Sequence, residues 1–144
     1  MWKLGRIDHV VVWVRDIEKS MAFYEALGFE IDQKSLEYYR AGKRPFVAAK
    51  AGPNSAVDLR PDPNWTPVER EKGNMQHINV TVDGIDDIQV LIDDLAKRGI
   101  KPDFEPEVQG GAWRIDIYDP DNNRIEMGLS VPAEVDTRAT FATE

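Results

Sequence analysis

The chain of 144 residues contains no cysteine, only two histidines and no long apolar run. Without cysteine there is no disulfide, no thiolate metal site and no cysteine nucleophile. No apolar stretch approaches the roughly 20 residues that a membrane helix needs, and the N-terminus shows no signal-peptide pattern. Basic residues are also outnumbered, since 18 Lys and Arg face 26 Asp and Glu. The net charge of −8 disfavours binding along a nucleic-acid backbone. We therefore expect a cytoplasmic protein that binds neither nucleic acid nor membrane.

The chain is expected to form one domain, residues 1–144, from two copies of one pattern. Each copy is predicted to hold a strand, a helix and three further strands. Module 1 covers about residues 5–62 and module 2 about 74–130, with a proline-rich loop between them. The polar C-terminal tail at residues 131–144 has no assigned role.

Side-chain periodicity gives the individual elements of the two modules. Strand-like segments are predicted at residues 7–14, 29–31, 38–39, 46–49 and 56–59 of module 1, one more than the repeated pattern has, and at 75–82, 101–104, 113–118 and 124–129 of module 2. An apolar stripe predicts one helix in each module, after the first strand. Asp16 is placed to cap the first helix, while Gly28 and Gly99 are placed to end the two helices.

Four polar residues inside predicted strands measure the repeat. His9 and His77 lie 68 residues apart, and so do Asp58 and Glu126. By strand alternation, His77, Asp58 and Glu126 lie on the face opposite the apolar residues. Both faces of the strand around His9 are apolar, so its side is less clearly defined. Taken singly, each residue is more often a hydrogen-bonded or exposed strand residue than a ligand. Together, two imidazoles and two carboxylates form the ligand set of a divalent ion such as Fe, Mn, Co, Ni or Zn.

Four short motifs stand out in the two modules. They are Ile7-Asp8-His9-Val10, Phe23-Tyr24 followed by Leu27-Gly28-Phe29, Gln76-His77-Ile78, and the stretch from Tyr118 to Glu126. With these motifs the chain resembles the vicinal oxygen chelate superfamily of glyoxalases, extradiol dioxygenases and bleomycin-resistance-type proteins, from residue 5 to about 130. The last motif is similar to the family's Asp-Pro-Asp-Gly turn. Asn122 replaces the glycine, and asparagine tolerates the left-handed conformation required there.

The resemblance implies an α+β fold in which two βαβββ modules form a curved eight-stranded mixed sheet, a glyoxalase-like partial barrel around a metal. It also implies a homodimer. The ligand pattern is most similar to that of glyoxalase I, with His9, Asp58, His77 and Glu126 as metal ligands. Asp58 stands where that enzyme usually has glutamate. Asp58 and Glu126 are also the candidate catalytic carboxylates, because the reaction needs a base near an acidic C–H group.

Five further residues are predicted to line the substrate cavity: Trp13, Arg60, Arg114, Asp116 and Tyr118. Arg60 and Arg114 are candidate anchors for a substrate carboxylate or phosphate, since guanidinium binds such anions well. The alternative for both arginines is a pair with a neighbouring acid. Trp13 stands where glyoxalase I places its glutathione-binding arginine, so the resemblance does not establish glutathione as the substrate.

The resemblance favours a divalent-metal-dependent lyase or isomerase of the glyoxalase type. Such an enzyme transfers a proton on a small carbonyl substrate through a metal-stabilised enediolate. Two alternatives stay open. His9, His77 and Glu126 alone match the facial triad of a non-haem Fe(II) ring-cleaving dioxygenase, although the chain lacks a third histidine and has Asp116 where those enzymes have tyrosine. A bleomycin-resistance-type binding protein without catalysis is the second alternative, with tryptophans that stack on a cationic ligand.

Overall fold

The computed structural model describes residues 1–130, so the polar C-terminal tail at 131–144 lies outside the described residues. Eleven elements follow one another along the chain: β1 (His9–Val14), α1 (Ile17–Leu27), β2 (Glu30–Ile31), α2 (Gln33–Arg40), β3 (Val47–Lys50), β4 (Ala56–Pro61), β5 (Ile78–Val82), α3 (Ile88–Lys97), β6 (Glu107–Gln109), β7 (Ala112–Tyr118) and β8 (Arg124–Ser130). They divide into two compact units, Met1–Pro67 and a second that begins at Val68. No helix within residues 1–130 is long and apolar enough to cross a membrane.

The two units share one sheet topology. The strand order is β1-β4-β3-β2 in the first unit and β5-β8-β7-β6 in the second. In both units the first and last strands pair in parallel, and the other pairings are antiparallel. The α+β fold class and the repeated modules are therefore confirmed, with the eight strands present as two four-stranded mixed sheets.

The strand register follows the repeat that the sequence shows. Val11 of β1 pairs with Asp58 of β4, and Asn79 of β5 pairs with Glu126 of β8. The two pairings are related by the same 68-residue offset as the histidines. His9 is the first residue of β1, whereas His77 lies one residue before β5. The strand predicted at 75–82 therefore starts later than expected, because its partner β8 begins only at Arg124.

Each sheet buries the apolar face that strand alternation predicts. In the first unit the buried residues include Val12 and Val14 of β1, Leu59 of β4, and Tyr24 and Leu27 of α1. In the second unit they include Ile115, Ile117, Ile125, Met127 and Leu129 of the sheet, with Leu91 and Leu95 of α3. Burial of these side chains is the main force that stabilises each unit. The opposite face of each sheet is left to carry the polar residues.

The predicted caps and turns are also present. The Asp16 carboxylate accepts a hydrogen bond from the backbone N–H of Lys19 at the start of α1. Gly28 ends that helix at φ 112°, and Gly99 follows α3 at φ 78°. Asn122 occupies the left-handed position of its turn at φ 63°, as expected for asparagine in place of glycine.

The strand predicted at residues 38–39 is wrong, because both tyrosines lie in α2. Asp32 caps this helix by accepting from Ser35 N, and Leu36 is buried beneath it. The Ser35 hydroxyl donates to Asp32 O at 2.8 Å and accepts from the backbone N–H of Ala48 on β3 at 2.9 Å. These local bonds and the buried leucine outweigh the strand preference of two aromatic residues.

The strand predicted at residues 101–104 is also wrong, since the second strand of module 2 is β6 at Glu107–Gln109. Pro102 cannot donate to a sheet, and Asp103 instead binds the backbone of β7 at Asp116 O and Tyr118 N. Gly110 and Gly111, at φ 57° and 77°, form the two-residue turn that places β6 against β7.

Two fully buried serines provide a matched test of α2. Ser35→Ala removes the partner of the Ala48 N–H, so the free energy of unfolding should fall by about 1–3 kcal/mol. Ser20 on α1 is equally buried, but its hydroxyl has no hydrogen-bond partner among residues 1–130. Ser20→Ala should therefore leave the stability unchanged or slightly higher. Urea unfolding of both variants measures this, and an equal loss in both would contradict the role of Ser35.

Candidate functional site

In each unit the parallel strand pairing brings one imidazole beside one buried carboxylate. His9 Nε2 lies 3.7 Å from Asp58 Oδ2, and His77 Nε2 lies 3.7 Å from Glu126 Oε1. Asp58 and Glu126 are only 7% and 6% exposed. Both distances are too long for a hydrogen bond. They are close to the separation of two ligands on one ion, roughly 3–3.6 Å for bonds of about 2.0–2.2 Å.

The other ring nitrogen of each histidine is held by the residue before it. His9 Nδ1 donates to Asp8 Oδ2 at 2.9 Å, and His77 Nδ1 donates to Gln76 Oε1. Donation from Nδ1–H leaves Nε2 with a free lone pair on the side of the carboxylate, as in histidines that bind metals. This role of Asp8 and Gln76 was not predicted from the sequence. Their spacing does indicate it, because these two residues also lie 68 residues apart.

The pair in the first unit is an imidazole between two carboxylates. The hydrogen bond to Asp8, followed by the charge of Asp58, raises the pKa of His9. Burial raises the pKa of Asp58, and the neighbouring His9 partly opposes that shift. Asp58 is thus a desolvated carboxylate that a nearby cation would stabilise.

The carboxylate of the second unit is already paired. Glu126 Oε1 accepts hydrogen bonds from Asn79 Nδ2 at 2.7 Å and from Arg114 Nη1 at 2.6 Å. The neighbouring-acid pairing that was the alternative for Arg114 is therefore present. Its Nε is buried with no hydrogen-bond partner within the described part of the chain. Asn79 was not predicted as a site residue, although it lies two residues after His77 and so on the same face of the strand.

Trp13 and Arg60 lie side by side on two adjacent strands of the first sheet. They are register partners on β1 and β4, two residues beyond the Val11–Asp58 partners, so they share the face that carries Asp58. The Arg60 guanidinium lies 5.3 Å from the Trp13 ring centre, a cation–π distance. Trp13 is 45% exposed, which leaves an aromatic and cationic surface on this face.

Asp116 and Tyr118 are engaged in polar contacts within the second unit. Asp116 Oδ1 accepts from Arg124 Nε at 2.8 Å, and the Tyr118 hydroxyl donates to Glu71. Arg124 Nη1 also donates to Glu71 at 3.1 Å. Burial, followed by the bond to Glu71, raises the pKa of Tyr118 to about 12. Sequence reasoning found neither Glu71 nor Arg124, because strand parity gives a residue's face but not its ionic partner.

The predicted site residues thus fall into two sets. His9, Trp13, Asp58 and Arg60 lie in the first unit, and His77, Arg114, Asp116, Tyr118 and Glu126 lie in the second. Within residues 1–130 no three His, Asp or Glu side chains are gathered as a metal site would require. Each unit by itself supplies one imidazole–carboxylate pair, so the four-ligand centre stays a proposal.

Comparisons with known proteins identify the family. The model of the Glyoxalase/Bleomycin resistance protein/Dioxygenase superfamily matches residues 6–127. The mitochondrial methylmalonyl-CoA epimerase of Bos taurus is 31% identical over 107 residues, 70% of this chain and 58% of that protein. The human epimerase is 30% identical over 118 residues, 78% of this chain and 64% of that protein. The match therefore spans less than two thirds of the length of either epimerase.

A bacterial relative and the solved structures agree with this. The "Probable lactoylglutathione lyase" of Vibrio parahaemolyticus is 32% identical over 131 residues, covering 85% of this chain and 89% of that protein. A glyoxalase/dioxygenase from Nostoc punctiforme has the same fold, with a TM-score of 0.70 at 18% identity over 88% of this chain and 92% of that one. An integron cassette protein of Vibrio cholerae has a TM-score of 0.64 at 20% identity, over 90% and 98% of the two chains. The chain belongs to the glyoxalase/bleomycin resistance protein/dioxygenase superfamily.

Proposed function

We propose that this protein is a divalent-metal-dependent lyase or isomerase that transfers a proton at the carbon beside a carbonyl group of a small anionic substrate. The observation that carries the proposal is the matched pair of sites in the two units. In each, a histidine Nε2 faces a buried carboxylate oxygen at 3.7 Å, while Nδ1 is held by the preceding residue.

The donor set suits a first-row divalent ion. His9, Asp58, His77 and Glu126 would hold it, with one pair from each module of a single chain or of two chains in a homodimer. Asp58 gives independent support, because burial raises the pKa of its carboxylate and a cation would offset that cost. A divalent ion bound there would polarise the substrate carbonyl as a Lewis acid.

Asp58 is the better candidate for the base. Its pKa is raised by burial, so it binds a proton more readily than an exposed carboxylate does. Glu126 Oε1 instead accepts hydrogen bonds from Arg114 and Asn79, which hold the carboxylate in place. In the proposed step the substrate C–H bond breaks, its electron pair moves toward the carbonyl oxygen, and Asp58 takes the proton. Protonated Asp58 then returns the proton to the carbon framework.

The named relatives favour proton transfer over ring cleavage. Methylmalonyl-CoA and lactoylglutathione are both thioesters with a hydrogen on the carbon next to the carbonyl group, and epimerisation requires that this hydrogen leave and return. The anionic part of such a substrate would meet Arg60, whose guanidinium lies over the exposed Trp13 ring. Arg114 would act mainly by balancing Glu126.

Metal affinity should depend on the histidines more than on Asp58. His77→Ala should abolish binding of Co²⁺ or Mn²⁺, whereas Asp58→Ala should weaken it, because the short aspartate side chain is the less firm ligand. Equilibrium dialysis followed by emission spectroscopy measures the bound ion. Asp94→Ala is the matched control, since that half-exposed carboxylate of α3 pairs with Arg98 at the end of the helix. The proposal is wrong if the unmodified protein binds none of Mn, Fe, Co, Ni and Zn.

Metal affinity should also fall as the pH is lowered through the raised pKa of His9, because the proton competes for Nε2. Asp8→Asn removes the main cause of that raised pKa, so the loss of affinity should move to lower pH. Asp94→Asn should leave the pH profile unchanged. Metal titrations at a series of pH values test this, and a profile in Asp8→Asn identical to that of the unmodified protein would count against metal binding by His9.

The reaction is tested by isotope exchange. With methylmalonyl-CoA or lactoylglutathione in D₂O, the protein should exchange the hydrogen beside the carbonyl without consuming oxygen. Asp58→Asn should keep most of the metal affinity but lose roughly 10²-fold or more in exchange rate. Arg60→Ala should mainly raise the apparent KM, and Asp94→Asn should match the unmodified protein.

Oxygen uptake is measured on the same samples. Stoichiometric oxygen consumption without exchange would assign the protein to the ring-cleaving dioxygenases and would contradict the proposal. Tight binding of these compounds without exchange would instead support a binding protein.

A further inference from the structure

We propose that Glu71 and Gln76 are positioning residues that hold the His77 ring with Nε2 unprotonated and turned toward Glu126. The purpose of this arrangement, to present a metal ligand, rests on the proposed function, whereas the arrangement itself rests on hydrogen bonds within the second unit.

The direction of each hydrogen bond follows from what each group can do. Gln76 Nε2 donates to Glu71 Oε2 at 2.9 Å, because an ionised carboxylate only accepts. The Gln76 amide must then present its carbonyl oxygen to His77 Nδ1. A carbonyl oxygen also only accepts, so the proton of the neutral ring must lie on Nδ1. His77 Nε2, 3.7 Å from Glu126 Oε1, is left with its lone pair.

Glu71 is itself fixed from the other side. Its Oε1 accepts from the Tyr118 hydroxyl and from Arg124 Nη1 at 3.1 Å, and Arg124 is in turn bonded to Asp116. The bonds from Tyr118 and Gln76, together with the charge of Arg124, hold the pKa of Glu71 below its usual range. Glu71 is therefore an acceptor on both oxygens. Glu71 thus connects the loop before His77 to β7 and β8.

The backbone at Glu71 supports the same conclusion. Its φ of 66° lies in the left-handed region, which residues other than glycine and asparagine rarely adopt. Such a conformation persists where surrounding contacts over-determine it, and these residues are concentrated at functional sites. Here the contacts are the hydrogen bonds that Glu71 makes to Tyr118, Gln76 and Arg124.

In the first unit His9 is held by a related series of hydrogen bonds, in which a carboxylate takes the place of the amide. Arg6 Nη2 donates to Asp8 Oδ1 at 2.9 Å, Arg6 Nε donates to Asn54 O at 2.8 Å, and Asp8 accepts from His9. Asp8 and Gln76 occupy equivalent positions, yet one is a carboxylate and the other an amide. Because an amide can present either its oxygen or its nitrogen, only the second unit needs a further residue to set the orientation, and Glu71 does so.

The tautomer of His77 can be read directly in the metal-free full chain. With only two histidines, long-range ¹H–¹⁵N spectra are simple, and His77→Ala identifies the His77 signals. At alkaline pH, where imidazole rings are neutral, the unmodified protein should show the Nδ1–H form at His77. Glu71→Ala should shift His77 toward the Nε2–H form. Glu71→Gln should give a smaller shift than Glu71→Ala, because it keeps one acceptor oxygen where Glu71 uses two.

Further variants separate positioning from a loss of folding. Gln76→Leu leaves the bonds of Glu71 to Tyr118 and Arg124 in place, and it should give the same shift as Glu71→Ala. Glu69→Ala changes an exposed acid of the same loop and should give none. Asp8→Asn should alter the His9 signals alone. An Nδ1–H form of His77 that survives in both Glu71→Ala and Gln76→Leu overturns the inference.

Metal affinity is the second measurement. Loss of a residue that orients a metal-binding histidine lowers the affinity about 10–100-fold, so Co²⁺ should bind that much more weakly to Glu71→Ala and Gln76→Leu. The affinity of Glu71→Gln should lie between those of Glu71→Ala and the unmodified protein. A tautomer shift in a protein that binds no ion supports the positioning role and overturns the proposed function. Unchanged Co²⁺ affinity in a variant whose tautomer has shifted overturns the role in metal binding.

Discussion

The parallel pairing of the first and last strand in each module is the constraint on which the candidate site depends. It sets Val11 opposite Asp58 and Asn79 opposite Glu126. His9 lies two residues before Val11 and His77 two residues before Asn79, so each histidine comes to lie 3.7 Å from a carboxylate. The pairing is possible because α1 and α3 cover the apolar face of each sheet and leave the other face to polar residues. A register slip of one residue would turn each carboxylate into the core.

Repetition of this constraint does not make the two halves chemically equal. Asp58 is desolvated and lies beside His9, whereas Glu126 is bonded to Arg114 and Asn79. The same asymmetry extends to the residue before each histidine, a carboxylate at Asp8 and an amide at Gln76. In the proposed mechanism Asp58 of the first unit would therefore accept the proton, while hydrogen bonds would hold Glu126 in place in the second unit. An enzyme that moves a proton between two positions needs both properties.

The sequence predicted the features that depend on periodicity and spacing. These include the repeated modules and both main helices with the Asp16 cap. It predicted a strand at residues 38–39 and did not predict α2. The Asp32 cap and the hydrogen bonds of the buried Ser35 outweigh the strand preference of the two tyrosines at 38–39. The sequence did not predict which acids pair with Arg114 and Arg124. Several acids lie near each arginine on the same face of the sheet, and only the positions of the side chains show which of them it binds.

The central claim is that the two imidazole–carboxylate pairs bind one divalent ion together. X-ray absorption spectroscopy of the Co²⁺-loaded full chain, with the metal content measured on the same sample, tests it most directly, because the scattering counts the imidazoles around the ion. The account predicts one ion per chain with two imidazole ligands, and a single imidazole on any ion that His77→Ala retains. Two ions per chain, or one imidazole per ion in the unmodified protein, would contradict it.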